Sequence, residues 1–471
     1  MTTPLRTTYL HRALNSAIST ITLTLFSAAI FATTLAQTQL NITEQNKRQQ
    51  EYQSIFTQES AKLETPLPLE NFTLSDLIHL ALSHGPSIQS LQFSSAAAKA
   101  AQKSAKWQFY PTIALDAKRV FSANNSPSFQ GDKHKIVLSI TQPLWTGGKL
   151  SAGLNYARSN SDAASAQLDQ GKRDIGLRVI QDYGQWLATA LKKDAWQKSL
   201  STHKSLLNLV NRRVKLGLSA KSDRALASGR LASSLAELEA IEAQEQIALI
   251  KLSAFIRRPL TSKNLIEVMS KSIKVHSSRA ELLLRAKKLN PDIDYAHAKI
   301  NMANAQTQQQ RAAFKPQISL RLEHQIGDFD NADQDDESRI FLQLNSQFGA
   351  GLSMLSNIQE AKSLQLAAGA QLEVERQAIE VQVIIDHIAV RSYTQRIKAL
   401  DTSLRTAISV ARSYKRQFLA GHKSWLDVLN ATRDLVNQRL ILADAKAANL
   451  VASWRLATVT NGVSDYTGTE I

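Results

Sequence analysis

The hydrophobic pattern of the chain predicts very long helices. From Leu150 to Leu168, apolar or small residues recur at alternating steps of four and three, which is the period of a coiled coil, and the stripe continues less strictly to Val214. The predicted helix runs from Lys149 to Leu216. A helix of these 68 residues would be roughly 100 Å long. Proline costs about 3 kcal/mol inside a helix, and it is absent from residues 144–258 and after residue 316. Both halves of the chain therefore have room for helices that a small compact domain could not contain.

Shorter helices are predicted on either side of the first long one. Thr73 can cap a helix over Leu74–Leu82, and a second helix covers Ser87–Tyr110. After a turn at Gly217, a third helix over Ser222–Ile256 returns along the long helix. The second and third helices together are nearly as long as the long one, so we expect them to be stacked end to end beside it.

The second half of the chain repeats the first. Five landmarks recur at an offset of 204 or 205 residues: Pro86 with Pro291, Pro111 with Pro316, Ala157 with Ala361, Gly217 with Gly421, and Asp223 with Asp427. A constant offset over such a distance indicates an internal duplication. We assign the first structural repeat to residues 71–270, the second to residues 279–462 and a tail to residues 463–471.

Between the helices, the pattern changes to strict alternation. Residues 316–326 and 338–348 place apolar side chains on one face and polar side chains on the other, and residues 112–121 and 135–144 do so less cleanly. Strands of about ten residues are long enough to cross an outer membrane with one face toward lipid. The sequence thus predicts strand pairs at about 112–144 and 316–348, and a soluble sheet covering a core is the alternative.

The N-terminus has the layout of a secretory signal. A basic start at Arg6 and Arg12 precedes an apolar run, and small residues follow before Gln37. We therefore predict a signal peptide over residues 1–36, with an N-terminal membrane anchor as the alternative. Residues 37–70 are rich in polar residues without sustained periodicity, which predicts a flexible lead-in.

Composition excludes several functions. The chain has no cysteine, so disulfides, thiolate metal sites and thiol nucleophiles are ruled out. Its net charge of +16 comes from basic residues spread along helices, which indicates solvated surfaces and not a nucleic-acid site. Neither a zinc-protease nor a serine-hydrolase motif occurs. We expect no enzyme activity and no cofactor, and the mean hydropathy of -0.22 argues against a bundle of membrane helices.

Four membrane strands in one chain require partners. An open sheet edge in lipid leaves backbone groups unsatisfied, at a cost of several kcal/mol each. Three chains would supply twelve strands and an open lumen, whereas two would give a lumen filled by side chains. The predicted fold is therefore an α+β membrane protein: a trimeric twelve-stranded β-barrel, with four strands per chain, continued by a long α-helical coiled-coil barrel.

Several landmarks together resemble the TolC family of outer membrane efflux and secretion channels. They are the segment Leu80–Pro86, the run Gln142–Trp145 before a glycine pair, the turn Gly217–Asp223, and Gly421–Ala431 with the helix that follows. The resemblance covers roughly residues 72–462. It implies a homotrimer in outer membrane lipid, a helical barrel in the periplasm, a periplasmic adaptor (membrane fusion) protein as partner, and no catalysis.

The resemblance also implies a periplasmic gate at the two glycine turns, Gly217 and Gly421. By position, Asp427 would form a ring around the tunnel axis, Lys423 would be a basic latch, and Asp223 would accept from it. The family's second acidic position is Asn430 in this chain, and Phe418 replaces a hydroxylated aromatic residue. One acidic ring and a weaker latch are expected. The alternative is that both aspartates only favour the dipole at helix N-termini.

Three functions are compatible with these features. The run Ser424–Asn430 resembles the branch of the family that serves type I secretion of large adhesins, so protein export with an ABC transporter in the inner membrane is preferred to an RND transporter. Small-molecule efflux is the first alternative, and a periplasmic coiled-coil scaffold without a pore is the second. For Trp425, core packing is the preferred explanation, and docking of the adaptor is the alternative.

Overall fold

The computed structural model describes residues 71–120, 132, 134–265, 278–328, 337–346, 351 and 353–462. The signal peptide, the lead-in and the tail predicted above lie outside these residues. In the first half, the elements are α1 (Leu74–His84), α2 (Pro86–Trp107), β1 (Thr112–Arg119), β2 (His134–Trp145), α3 (Lys149–Lys215) and α4 (Lys221–Ile256). In the second half, they are α5 (Arg279–Leu289), α6 (Pro291–Ala312), β3 (Gln317–Ile326), β4 (Glu337–Asn345), α7 (Ser353–Leu419) and α8 (Trp425–Asn461).

The internal duplication and the long helices are confirmed. Both α3 and α7 contain 67 residues, and each is preceded by a strand pair and followed by a shorter helix. Local chemistry sets the helix starts: Thr73 and Asp76 form a reciprocal capping box on α1, and proline occupies the first position of α2 and of α6. The main difference from prediction is that α2 ends at Trp107 instead of Tyr110. The three residues that follow form the turn into β1.

The four strands form one antiparallel sheet in the order β1-β2-β3-β4. Residues that pair directly lie on the same face, and the register aligns Ile113, Ile140, Leu322 and Ile340 in one row. The next row on the other face aligns Ala114, Ser139, Glu323 and Arg339. The sheet therefore has an apolar face and a polar face, as the alternation predicts, and Ile113 and Ile340 are each about 70% exposed.

The long helices lie between the shorter ones. α3 packs against α2 and α4 of its own half and against α6 and α8 of the other half, while α7 packs against α6 and α8. Midway along the body, Phe72 forms a parallel bridge with Leu265 beside a buried polar network in which Lys193 and Ser262 both contact Glu245. Within the described residues, no helix is apolar over enough length to span a membrane.

Candidate gate at the paired glycine turns

Both glycine turns close with the same backbone geometry. Gly217 has φ +72° and Gly421 has φ +81°, so each residue adopts the left-handed conformation that glycine reaches without strain. The following residue then donates back into the helix: the Leu218 N–H lies 2.8 Å from the Arg213 oxygen, and the His422 N–H lies 2.9 Å from the Gln417 oxygen. These bonds satisfy carbonyls at the ends of α3 and α7 and reverse the chain sharply.

The helices that follow the two turns start differently. Ser424 caps α8 and forms a capping box with Asp427, whose carboxylate accepts from the Ser424 hydroxyl at 2.9 Å and from its N–H at 3.1 Å. At the start of α4, Ala220 has no side chain that could cap, and Asp223 lies in the first helical turn. Only the second turn therefore has a reciprocal side-chain cap.

The capping box changes the acidity of Asp427. Hydrogen bonds from the Ser424 side chain and backbone lower the pKa of Asp427, and the charge of Lys423 acts in the same direction. The carboxylate is therefore ionised throughout the neutral range in a single protomer. The proposed ring would act in the opposite direction, because three neighbouring carboxylates raise one another's pKa.

One hydrophobic cluster lies beneath both turns. It contains Leu206, Val210, Ala227, Phe418, Trp425, Val428 and Leu429, all buried, and so joins α3, α4, α7 and α8. The cluster fixes the relative positions of the two turns, because residues from both repeats interdigitate in it. Trp425 is only 5% exposed, which agrees with core packing, the first of the two alternatives for this residue. Docking of an adaptor at Trp425 stays a prediction and would require the turn to rearrange.

Phe418 lies between a cation and a second aromatic ring. The Arg213 guanidinium carbon is 4.8 Å from the Phe418 ring centroid, and the Trp425 ring centroid is 5.4 Å away. Arg213 also donates from Nε to the Ser219 hydroxyl at 3.3 Å, so it ties the first turn to the end of α7. Cation–π contacts contribute about 0.5–2 kcal/mol, depending on desolvation. Sequence reasoning missed Arg213, although its place one turn before Gly217 could have drawn attention to it.

The predicted latch residues do not meet in this structure. The Lys423 ammonium lies 4.7 Å from the centroid of the Tyr414 ring, on the preceding helix. The ion pairs of the described residues do not include one between Lys423 and Asp223. An exposed ion pair contributes only about 0–1 kcal/mol, so a latch of this kind would be weak. The latch therefore stays a prediction.

The acidic positions line one groove between α7 and α8. Asp427, Asn430 and Asp434 lie on the same face of α8, opposite Thr406 and Tyr414 of α7. Asp434 was not singled out from the sequence, yet its spacing of seven residues from Asp427 places it two turns higher on that face. The groove thus contains two carboxylates on α8, Asp427 and Asp434, with the uncharged Asn430 between them.

The described residues thus form a duplicated set of long paired helices with a four-stranded antiparallel sheet and two glycine turns over a common core. The model of the outer membrane efflux protein family matches residues 77–256 and again residues 282–462. The chain belongs to this family, which confirms the resemblance and places the protein in the outer membrane.

Individual relatives agree with this assignment. The chain is 27% identical over 207 residues to the pyoverdine export outer membrane protein OpmQ of Pseudomonas aeruginosa, a match that covers 44% of this chain and 40% of that protein. The chain thus spans less than half the length of this curated relative.

Two solved structures have the same fold. The outer membrane protein VceC of Vibrio cholerae is 20% identical with a TM-score of 0.72, over 83% of this chain and 96% of that one. The outer membrane channel CmeC of Campylobacter jejuni is 17% identical with a TM-score of 0.72, over 84% and 87% respectively.

Proposed function

We propose that the protein is the outer membrane exit duct of a tripartite export system and that it works as a homotrimer. The observation that carries this proposal is the sheet. Its apolar face is uncovered along all four strands, and β1 and β4 have only one neighbour each among the described strands. Both edges would be unsatisfied in lipid, and copies of the same chain can pair them in a closed ring.

The gate is the second part of the proposal. The two turns lie over one core, and α8 presents Asp427 and Asp434 along one groove. In a trimer these carboxylates would repeat three times around the axis, where they would attract cations to the narrow end of the duct. A passive duct with a weakly held end suits a protein that is opened by a periplasmic adaptor.

Replacing Asp427 by asparagine tests the ring. We expect the purified trimer in planar bilayers to lose much of its preference for cations over anions, because the substitution, present in every protomer, removes all three charges of the ring. Asparagine retains an acceptor for the Ser424 bonds, so the start of α8 is preserved. Glu239→Gln, at an exposed position of α4, removes the same charge elsewhere. Equal selectivity in wild type and Asp427→Asn would remove Asp427 from the conduction path.

The latch has its own test. We expect Lys423→Ala and Asp223→Ala each to raise the conductance of the closed trimer by up to about fivefold, since an exposed pair is worth at most about 1 kcal/mol. Lys415→Ala, at an exposed position on α7, is the matched control. Unchanged closed-state conductance in both variants would contradict the latch and leave the cation–aromatic contacts as the means of closure.

For the cargo, we propose protein secretion driven by an ABC transporter, on the resemblance of the run Ser424–Asn430 to the adhesin-export branch. Small-molecule efflux is the second candidate, favoured by the similarity to a pyoverdine export protein. A deletion strain separates them. Loss of one large protein from the culture supernatant, with unchanged susceptibility to dyes and antibiotics, is the expected result. The opposite pattern would support efflux and overturn the secretion proposal.

A further inference from the structure

The junction between the helices and the sheet has an unusual charge distribution. Four stretches of sequence lead into this junction. Three of them, Pro86–Leu115, Pro143–Ser161 and Tyr295–Ile318, contain no aspartate or glutamate. The fourth is the start of α7, whose first carboxylate is Glu360, seven residues after Ser353. The first three stretches nevertheless contain eight basic residues: Lys99, Lys103, Lys106, Lys149, Arg158, Lys299, Arg311 and Lys315. All eight are exposed. The rest of the chain mixes both signs of charge, so this end of the helical body differs from the remainder.

Four of these basic residues, Lys103, Lys106, Lys149 and Lys315, lie close to the level at which the strands begin. Lys106 precedes the last residue of α2, Lys149 is the first residue of α3, and Lys315 lies two residues before β3. At 1.5 Å per residue, Lys103 is only about 6 Å below the end of α2. In the part of the chain that the structure describes, the ion pairs lie elsewhere and include none of these lysines. Their charges are therefore uncompensated by carboxylates of the same protomer.

Aromatic side chains occupy the same level. Trp107 and Tyr110 are 68% and 57% exposed, with ring centroids 5.1 Å apart. Trp145 pairs with Ile318, which pairs in turn with Leu344, so the indole is on the apolar face at the helix end of the sheet. The amide of Gln142 donates to the Phe109 oxygen at 2.9 Å and holds the α2–β1 turn against β2. Exposed tryptophan and tyrosine at the rim of an apolar face are typical of a membrane–water interface.

We infer that this junction is a lipid-binding collar for the anionic phospholipid headgroups of the periplasmic leaflet. The collar consists of Lys103, Lys106, Trp107, Tyr110, Trp145, Lys149 and Lys315. Trp145 lies on the apolar face of the sheet, and Trp107 and Tyr110 lie at the α2–β1 turn beside it. The lysines are at the helix ends, where headgroup phosphates would be. A protein surface that binds anionic headgroups should lack acidic side chains at this level, because a carboxylate there would repel the phosphates.

The collar would fix how deeply the sheet is inserted. A lysine near an anionic surface contributes about fivefold in binding, and the effect falls off within about 10 Å at 0.1 M salt. The lysines at the helix ends would lie within this distance of the headgroups, whereas lysines further along the helices would not. This inference rests on the proposed insertion of the sheet into the membrane. It does not depend on the gate or on the cargo.

Lipid binding to the purified full-length trimer tests the collar. We expect native mass spectrometry to show phosphatidylglycerol retained at least fivefold better than phosphatidylcholine, with the preference reduced in high salt. Lys103→Gln with Lys106→Gln should abolish most of the preference. Lys204→Gln with Lys398→Gln removes the same charge from exposed positions further along the helices and should leave the preference intact. Equal retention of both lipids by the wild type, or equal loss in both double variants, would overturn the inference.

Fluorescence quenching by brominated lipid tests the depth of the collar. Trp107 and Trp145 are strongly exposed, whereas Trp186, Trp425 and Trp454 are at most 7% exposed. The remaining tryptophan, Trp196, is partly buried and lies 47 residues after the start of α3, far from the junction. We expect bromines near the headgroup to quench the reconstituted trimer, and Trp107→Phe with Trp145→Phe to remove most of that quenching. A trimer that conducts ions but shows no such quenching would refute the collar while leaving the channel proposal intact.

Discussion

Replacing Trp425 by alanine is expected to produce the largest change at the gate: a channel that leaks in its closed state and a less stable helix end. The indole is 5% exposed and packs against Phe418 with Val428 and Leu429 in the same cluster. Truncating a buried aromatic side chain to alanine costs about 3–5 kcal/mol, from lost apolar burial and the cavity that remains. Since this cluster joins both turns, the two repeats would lose their common anchor at this end.

Closed-state conductance and the apparent melting temperature of the purified trimer measure the two effects. Trp425→Phe is the matched variant, because it retains an aromatic ring against Phe418. The Trp425 Nε1 is buried and has no hydrogen-bond partner among the residues that the structure describes. An unsatisfied buried donor costs about 1–3 kcal/mol, so phenylalanine removes a cost as well as some packing. We expect Trp425→Phe to remain closed with nearly unchanged stability.

A different ranking would contradict this account of the turn. If Trp425→Ala melted like the wild type and stayed closed, the cluster would not hold the turns together. If instead Trp425→Phe leaked as much as Trp425→Ala, the indole N–H would have a partner in the trimer, such as a neighbouring subunit or an adaptor. That second outcome would support the docking role predicted for this residue.

The fold could be predicted from the sequence because its determinants are local and repeated. Proline at helix starts, glycine at the turns and alternation in the strands each act over a few residues, and the duplication provided a second copy of every landmark. Gly217 and Gly421 illustrate this: each has the positive φ that its position at a helix end suggests.

Side-chain contacts at the gate could not be predicted in the same way. Arg213 and Phe418 are about 205 residues apart, and their contact depends on how α3 and α7 are rotated about their axes. The flexible side chain of Lys423 lies near both the Asp427 carboxylate and the Tyr414 ring, and sequence position does not decide which of them it contacts. The groove position of Asp434 likewise becomes evident only when α7 is placed against α8.

The Arg455→Met variant is expected to cause the largest loss of stability outside the gate. Asp386 on α7 is fully buried and accepts from the Arg455 Nε of α8 at 2.8 Å. The Gln382 amide donates to its other oxygen at 2.9 Å. Methionine would leave the carboxylate buried with a single neutral donor. Removing one partner of a buried pair costs about 3–5 kcal/mol, because the remaining charge has lost its compensation. Arg455 is 37% exposed, so water can reach the site and the lower end of this range applies.

A second substitution separates the lost pair from the lost arginine packing. In Asp386→Asn with Arg455→Met, the buried group is neutral and Gln382 can still donate to it, so most of the loss should be recovered. The apparent melting temperature of the purified trimer is the measurement, and Arg376→Met, which removes an arginine from an exposed pair with Glu373 on α7, is the control.

If the double variant were as unstable as Arg455→Met, the arginine stem and not the buried charge would be holding α7 to α8. Recovery would instead show that the pair contributes little net stability and serves to align two long helices whose apolar stripes could otherwise slide by one turn.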